Sequence, residues 1–200
     1  TVTKAATELT VNAPAANVGQ TVTITADLIR LTDMTGVANK PVRFYVNGTF
    51  VTTVNTDSDG RASLNYKPEM PAGTHLVSVA FIEDDYYLGS VDDTTMTVTK
   101  ASTNVALTLS APTVAVGGTV TFTATLTRVT DGQELENKPI VFSVNGTAVA
   151  TEHTNGSGVA TFDWKPELTS GTYSVQAAFA DDAWYHGNSA TDTLEVTKAA

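Results

Sequence analysis

Residues 21–28 read TVTITADL, and residues 119–126 read TVTFTATL. In both stretches apolar side chains alternate with polar ones, mostly threonine, which is the pattern of a β-strand with one buried and one solvated face. The two stretches lie 98 residues apart, and the sequence repeats at this spacing without a gap from 14–100 to 112–198. The chain therefore contains two copies of one β-rich unit in tandem.

Turn sequences separate further alternating segments within each unit. Asn47-Gly48 and Asn145-Gly146 are typical of two-residue hairpins, because both residue types tolerate positive φ. Counting the segments between such turns gives about seven strands per unit, in an order that resembles the immunoglobulin-like fold. The predicted fold class is all-β, with two tandem immunoglobulin-like antiparallel β-sandwiches of about seven strands each.

A tyrosine near the start of the sixth predicted strand fits this fold. Tyr173 follows Gly171 by two residues, and a tyrosine at that corner can return its hydroxyl to the backbone. The first unit has His75 at the equivalent position, so we expect its corner to be either imperfect or differently bonded.

Two longer motifs support a narrower resemblance. One is Thr-Asp-x-x-Gly-x-Ala over residues 56–62. The other is Ala-Phe-x-Glu/Asp-Asp-x-aromatic-Tyr-x-Gly over residues 80–89 and 178–187, followed by a closing Val-Thr-Lys. Together they resemble the bacterial and archaeal Ig-like repeat domains that occur in tandem on cell-surface proteins and adhesins. The resemblance implies an extracellular, cell-surface location and use largely as a spacer.

Composition excludes several classes of function. The chain has 21 acidic and 11 basic residues and a net charge of −10, so neither nucleic acid nor an anionic membrane is a predicted partner. It has no cysteine, which excludes disulfides, thiolate metal sites and cysteine nucleophiles. No apolar run of about 18 residues is present, so no membrane insertion is predicted for this segment.

The ends of the repeat predict the domain boundaries. Residues 1–4 read TVTK, as do residues 97–100 at the end of the first unit. We therefore predict that 1–4 are the end of a preceding repeat, 5–100 the first Ig-like domain and 101–200 the second. Further copies of the repeat in the parent chain are predicted partners. The connection at 100–104 contains neither glycine nor proline, which predicts limited bending between the units.

The predicted function is a structural, non-catalytic spacer or stalk segment of an extracellular surface or adhesin-type protein. One alternative is an adhesion module that binds a glycan or another surface protein through its domain-end loops. Another is a subunit of an extracellular filament or surface lattice. No enzyme is predicted, because the three histidines fall at unrelated positions of the unit and no HExxH, GxSxG or phosphate-binding glycine loop is present.

Acidic residues concentrate in loops that gather at one end of an Ig-like sandwich. Carboxylates are the hard oxygen ligands that Ca²⁺ prefers, so one hypothesis is a calcium ion at the domain junction, and the alternative is solvated loop acids. The candidate ligands are Asp131, Glu134, Asp181 and Asp182 in the second unit and Asp33, Asp84 and Asp85 at the equivalent end of the first. No other cofactor is predicted.

Aromatic side chains occupy the loop before the last strand of each unit, as Tyr86, Tyr87, Trp184 and Tyr185. Exposed rings at a domain end can stack on a sugar or anchor a partner protein. The interpretation we favour is that they cover the open end of the sandwich and close its core.

Three asparagines begin an Asn-Gly-Thr or Asn-Gly-Ser sequon and are candidate glycosylation sites: Asn47, Asn145 and Asn155. Turn geometry already accounts for an Asn-Gly pair, so the sequon adds no weight of its own.

Overall fold

The computed structural model of the protein describes residues 3–167 and 169–199. The chain divides into two compact units, Thr1–Thr99 and Lys100–Ala200. Every regular element of the described residues is a β-strand, so the predicted all-β class is confirmed. No helix in this part of the chain is long and apolar enough to cross a membrane.

The first unit is a sandwich of two sheets. Its strands are β1 (Thr7–Asn12), β2 (Ala16–Asn17), β3 (Val22–Arg30), β4 (Thr35–Gly36), β5 (Pro41–Val46), β6 (Thr49–Asn55), β7 (Arg61–Tyr66), β8 (Gly73–Phe81) and β9 (Ser90–Thr99). One sheet joins β1, β4 and β7 to β3, and the other has the order β2-β9-β8-β5-β6.

The second unit repeats this arrangement. Its strands are β10 (Thr103–Leu109), β11 (Thr113–Ala115), β12 (Val120–Arg128), β13 (Pro139–Val144), β14 (Thr147–His153), β15 (Val159–Trp164), β16 (Gly171–Phe179) and β17 (Asn188–Thr197). One sheet has the order β10-β12-β15, and the other has the order β11-β17-β16-β13-β14. The prediction of two tandem Ig-like sandwiches is confirmed.

The start of each unit is divided between the two sheets, because a second short strand, β2 or β11, follows the first one. The alternation pattern does not predict this second strand. β1 pairs antiparallel with β3, whereas β2 pairs parallel with β9, the last strand. In the second unit β10 and β11 divide in the same way between β12 and β17. Pro14 and Pro112 lie at the break, where a residue without an N–H cannot continue the ladder and the chain passes to the opposite sheet. Within the described residues, the predicted antiparallel sandwich of each unit therefore also contains a short parallel strand pair.

The core of each unit lies between its two sheets and follows the predicted alternation. Along β12 the residues Val120, Phe122, Ala124 and Leu126 are buried, while the threonines between them are partly exposed. Phe122 contacts Phe142 of the facing sheet with ring centroids 6.1 Å apart. Each unit thus encloses its own apolar interior.

The hairpin prediction is confirmed in both units. Asn47 and Gly48 have φ values of 49° and 77°, and Asn145 and Gly146 have 47° and 79°. Positive φ at both central residues is the conformation that joins two antiparallel strands through a two-residue loop.

The tyrosine corner is present in the second unit and replaced in the first. The Tyr173 hydroxyl donates to the Thr169 carbonyl at 2.7 Å. In the first unit His75 Nε2 lies 2.9 Å from the Pro71 carbonyl, which is the equivalent acceptor. The first corner is therefore differently bonded rather than imperfect.

Candidate functional site

Three loops meet at one end of each unit, which we call the loop end. It comprises residues 31–40, 56–60 and 82–89 of the first unit and residues 129–138, 154–158 and 180–187 of the second. A buried threonine links the first two loops: the Thr154 hydroxyl donates to the Leu135 carbonyl at 2.5 Å and accepts the Lys138 N–H at 2.9 Å. Thr56 makes the same two contacts in the first unit.

A lysine, an aspartate and a tyrosine tie the third loop to the others, and we call this group the lysine clasp. In the second unit Lys138 Nζ lies 2.6 Å from Asp182 Oδ2 and 4.9 Å from the centre of the Tyr185 ring. The other oxygen of Asp182 accepts the N–H groups of Trp184 and Tyr185 at 2.7 and 2.8 Å. One carboxylate thus shapes its own loop and holds it to the strand that begins at Pro139.

The first unit contains the same clasp. Lys40 Nζ lies 2.5 Å from Asp84 Oδ2 and 5.0 Å from the centre of the Tyr87 ring. Asp84 Oδ1 accepts the N–H groups of Tyr86 and Tyr87, both at 2.8 Å. An ammonium over an aromatic face adds a cation–π attraction to the ion pair.

The electrostatic environment keeps both clasp aspartates ionised. Partial burial works against the charged form of Asp182, but Lys138 and the two loop N–H groups outweigh it and hold the pKa below its ordinary value of 3.8. The pKa of Asp84 is lowered in the same way, with Lys40 and the loop N–H groups overcoming the cost of burial.

The other predicted acidic residues also lie at the loop end, mostly in ion pairs within their own unit. Asp33 binds Arg30, and Asp131 binds Arg128 at 2.8 Å. Asp181 lies 3.0 Å from Lys100 Nζ. Hydrogen bonds from Arg30 hold the pKa of Asp33 far below its usual range.

The geometry bears on the calcium hypothesis without testing it. Asp85 and Glu134 form no ion pair among residues 3–167 and 169–199. Within this part of the chain no three His, Cys, Asp or Glu side chains form a group that could hold a metal ion. Most of the candidate carboxylates already have a cationic partner, which leaves them less available to a calcium ion. Calcium at the domain junction stays a prediction.

The aromatic residues of the loop end divide between covering the core and facing solvent. Tyr185 is buried, Tyr87 and Trp184 are half-buried, and Tyr86 is 72% exposed. Tyr87 and Tyr185 serve the clasp, which agrees with the interpretation that this loop closes the end of the sandwich. Tyr86 and Trp184 remain accessible for contact with another molecule.

Trp184 also lines a cleft of about 380 Å³ in the second unit. Glu134, Glu136 and Lys138 contribute its charged side chains. This cleft brings the predicted residues Glu134, Trp184 and Tyr185 together, and no sequence pattern predicts it.

The sequon asparagines serve the turns. The Asn47 and Asn145 side-chain oxygens accept the N–H groups of Leu76 and Ser174, at 3.0 and 2.8 Å. The Asn155 side-chain oxygen accepts the N–H groups of Ser157 and Val159. Glycosylation of the three stays a prediction.

A family model matches the second unit over residues 107–197, and its description is bacterial Ig-like domain, group 3. Over this range the second unit is similar to bacterial Ig-like domains. The resemblance inferred from the motifs is thereby confirmed. No curated protein matches the sequence.

Two of the solved structures that share the Ig-like fold of this chain come from bacterial surface or adhesion proteins. The crystal structure of invasin, described as a bacterial integrin-binding protein, has a TM-score of 0.67 at 15% identity, covering 96% of this chain and 39% of invasin. A tetra-tandem repeat from the extending region of a large adhesion protein has a TM-score of 0.58 at 17% identity, covering 96% of this chain and 49% of that one. The chain spans less than half the length of either structure.

Sequence reasoning missed the lysine clasp in these Ig-like units. Lys40 and Lys138 precede prolines at the start of a strand, where they look exposed, yet only 21% and 22% of each side chain is accessible. The available signal was repetition, because lysine, aspartate and tyrosine all recur at equivalent positions of both units.

Replacing Asp182 with asparagine should weaken the second unit by about 1–2 kcal/mol at neutral pH, because a hydrogen bond from a charged donor is lost from a part-buried site. The folded-state pKa of Asp182 is depressed, so its contribution is fully present well above 3.8 and is lost as the pH falls below that value. The variant should therefore lose less stability than the parent between neutral and acidic pH. Urea titrations at several pH values, followed by tryptophan fluorescence, measure both effects, and identical pH profiles would contradict the assignment.

Proposed function

We propose that this chain is a structural spacer segment of a large extracellular surface protein of the adhesin type, without catalytic activity. The proposal rests on the duplication of a self-enclosed Ig-like sandwich. In each copy the chain passes from one sheet to the other after its first strand, and each copy has the same lysine clasp. The match to a bacterial Ig-like family supports it, as does the fold shared with repeats from a large adhesion protein.

The hydrogen bonding within each unit suits a segment that carries load. β11 and β17 run parallel, and the Val116 N–H donates to the Thr197 carbonyl at 2.9 Å. When the two ends of a unit are pulled apart, its first and last strands must slide along each other, so several hydrogen bonds are loaded together. In the first unit the Val18 N–H donates to the Thr99 carbonyl in the same manner.

The proposal predicts a mechanical phenotype for Val116→Pro. Proline removes the N–H that bonds Thr197, so the second unit should unfold at a lower force while the first is unchanged. Single-molecule stretching of the two-unit chain should give two unfolding events in the parent, and only the event of the second unit should move to lower force in the variant. Val116→Ala is the control, because it keeps the N–H and removes only side-chain volume. Unfolding at negligible force in the parent, or equal effects of proline and alanine, would contradict the load-bearing role.

A second candidate function is recognition of a partner at the loop end, which the exposed Tyr86 and the cleft beside Trp184 favour. Its partner would be another surface protein or a glycan. A Trp184→Ala variant that keeps its melting temperature but loses binding to a glycan or protein array would favour recognition over a purely structural role.

A further inference from the structure

A second cleft opens in the second unit at the end opposite the loop end, and we call it the aromatic cleft. It has a volume of about 450 Å³, within the range of small-molecule sites. It lies beside the β13–β14 hairpin, where β14 of one sheet and β15 of the other form neighbouring edges. Trp164 and Tyr173 supply its aromatic surface, and Asn145, Lys165 and Glu167 supply polar groups.

The aromatic surface is held in place before any ligand arrives. Trp164 is half-buried and packs on the buried Phe122, with ring centroids 5.7 Å apart and an interplanar angle of 36°. Tyr173 is fixed by the hydrogen bond from its hydroxyl to the Thr169 carbonyl. Rigid rings offer contact area at little entropic cost.

In the first unit the equivalent polar side chains form hydrogen bonds and an ion pair with one another. There His75 stands in place of Tyr173, and Asn47 Nδ2 lies 3.0 Å from His75 Nδ1. Lys67 and Glu69 form an ion pair at 3.3 Å. The polar side chains at this end of the first unit thus have partners within the protein.

In the second unit the same groups lack those partners. Tyr173 directs its hydroxyl to the backbone, so the Asn145 side-chain nitrogen has no acceptor among residues 3–167 and 169–199. Neither Lys165 nor Glu167 forms an ion pair or side-chain hydrogen bond within those residues. The Asn145 amide and the Lys165 ammonium, as donors, and the Glu167 carboxylate, as an acceptor, therefore line the aromatic cleft without a partner within the described residues.

We propose that the aromatic cleft binds a neutral hexopyranose unit of a glycan. A pyranose has an apolar C–H face that stacks on an aromatic ring, and hydroxyl groups at its rim that both donate and accept hydrogen bonds. Glu167 can accept from a hydroxyl, while Asn145 and Lys165 can donate to others. The opposite charges of Lys165 and Glu167 favour a ligand without net charge. This site lies outside the loop end and does not depend on the spacer function.

The test is a titration of the two-unit protein, made in a host that does not glycosylate Asn145, with methyl glycosides of glucose, galactose, mannose and N-acetylglucosamine. The chain has two tryptophans, so its ¹⁵N spectrum contains two indole N–H signals, which a Trp184→Phe variant assigns. At least one glycoside should shift the Trp164 signal saturably and leave that of Trp184 in place.

Two variants with matched controls decide the outcome. Glu167→Ala should weaken binding about tenfold, as expected for a lost hydrogen bond to a charged group, whereas Glu69→Ala at the equivalent position of the first unit should have no effect. Tyr173→His introduces the residue that the first unit already accommodates, so the fold should persist while Asn145 gains a partner and binding is lost. No shift of Trp164 with any probe up to its solubility limit would overturn the proposal, as would equal effects of Glu167→Ala and Glu69→Ala.

Discussion

Replacing Phe142 with alanine should unfold the second unit at a much lower temperature and leave the first unchanged. Phe142 is fully buried and contacts the rings of Phe122 and Phe162 from the facing sheet. Removing a buried phenylalanine costs about 3–5 kcal/mol, a large part of the roughly 5–15 kcal/mol that stabilises a domain. At about 4–8 °C per kcal/mol for a domain of this size, the melting temperature should fall by more than about 10 °C.

Tryptophan fluorescence distinguishes the two units in this experiment. Both tryptophans, Trp164 and Trp184, lie in the second unit, so tryptophan fluorescence follows that unit alone. Phe44→Ala, the equivalent change in the first unit, is the matched control. It should lower one calorimetric transition without moving the fluorescence transition. If both substitutions shift the fluorescence transition equally, the two units do not fold independently.

Replacing Asp131 with alanine should destabilise the second unit by about 3 kcal/mol, because it leaves a buried guanidinium without its counter-charge. The Arg128 side chain has no accessible surface, and it donates through Nε and Nη2 to the two oxygens of Asp131 at 2.9 and 2.8 Å. Gln133 supplies a further acceptor but no negative charge.

The first unit offers the control for Asp131. Arg30 and Asp33 form the equivalent pair, but 37% and 44% of their side chains are exposed, so solvent can replace the lost partner. Asp33→Ala should therefore have a much smaller effect. Chemical denaturation of both variants measures the difference, and equal destabilisation would mean that burial of Arg128 does not control the energy of the pair.

Local pattern was sufficient to predict the strands and the hairpins. The alternation in residues 119–126 predicts which face of β12 is buried, and Asn145-Gly146 predicts the turn. Both features depend only on residues that are near neighbours in sequence. The passage of the chain between sheets at Pro112 was not predicted, because β11 has only three residues, too few to show an alternation pattern. The parallel partner, β17, lies at the other end of the unit.

The candidate sites were harder to predict than the strands, because they depend on contacts between residues that are far apart in sequence. Lys138 and Asp182 are far apart in sequence, and nothing in either neighbourhood indicates their pairing. The sequence shows that His75 replaces Tyr173 in the first unit. The loss of a hydrogen-bond partner for Asn145 can be recognised only from the fold, which places the hairpin beside the tyrosine corner. The acidic residues share one end of each unit, and their lysine and arginine partners were not foreseen.

The parallel pairing of β2 with β9 joins the two ends of one unit, so it can form only after nearly the whole unit has been gathered together. All-β domains with such long-range pairing refold slowly, in milliseconds to seconds. A unit opened by tension would release roughly 300 Å of chain, at about 3.3 Å per residue, and would recoil only after that delay. Because the chain has no cysteine, no wrong cross-link could form while it is extended. Each unit could thus lengthen under a sudden pull and later recover its folded length.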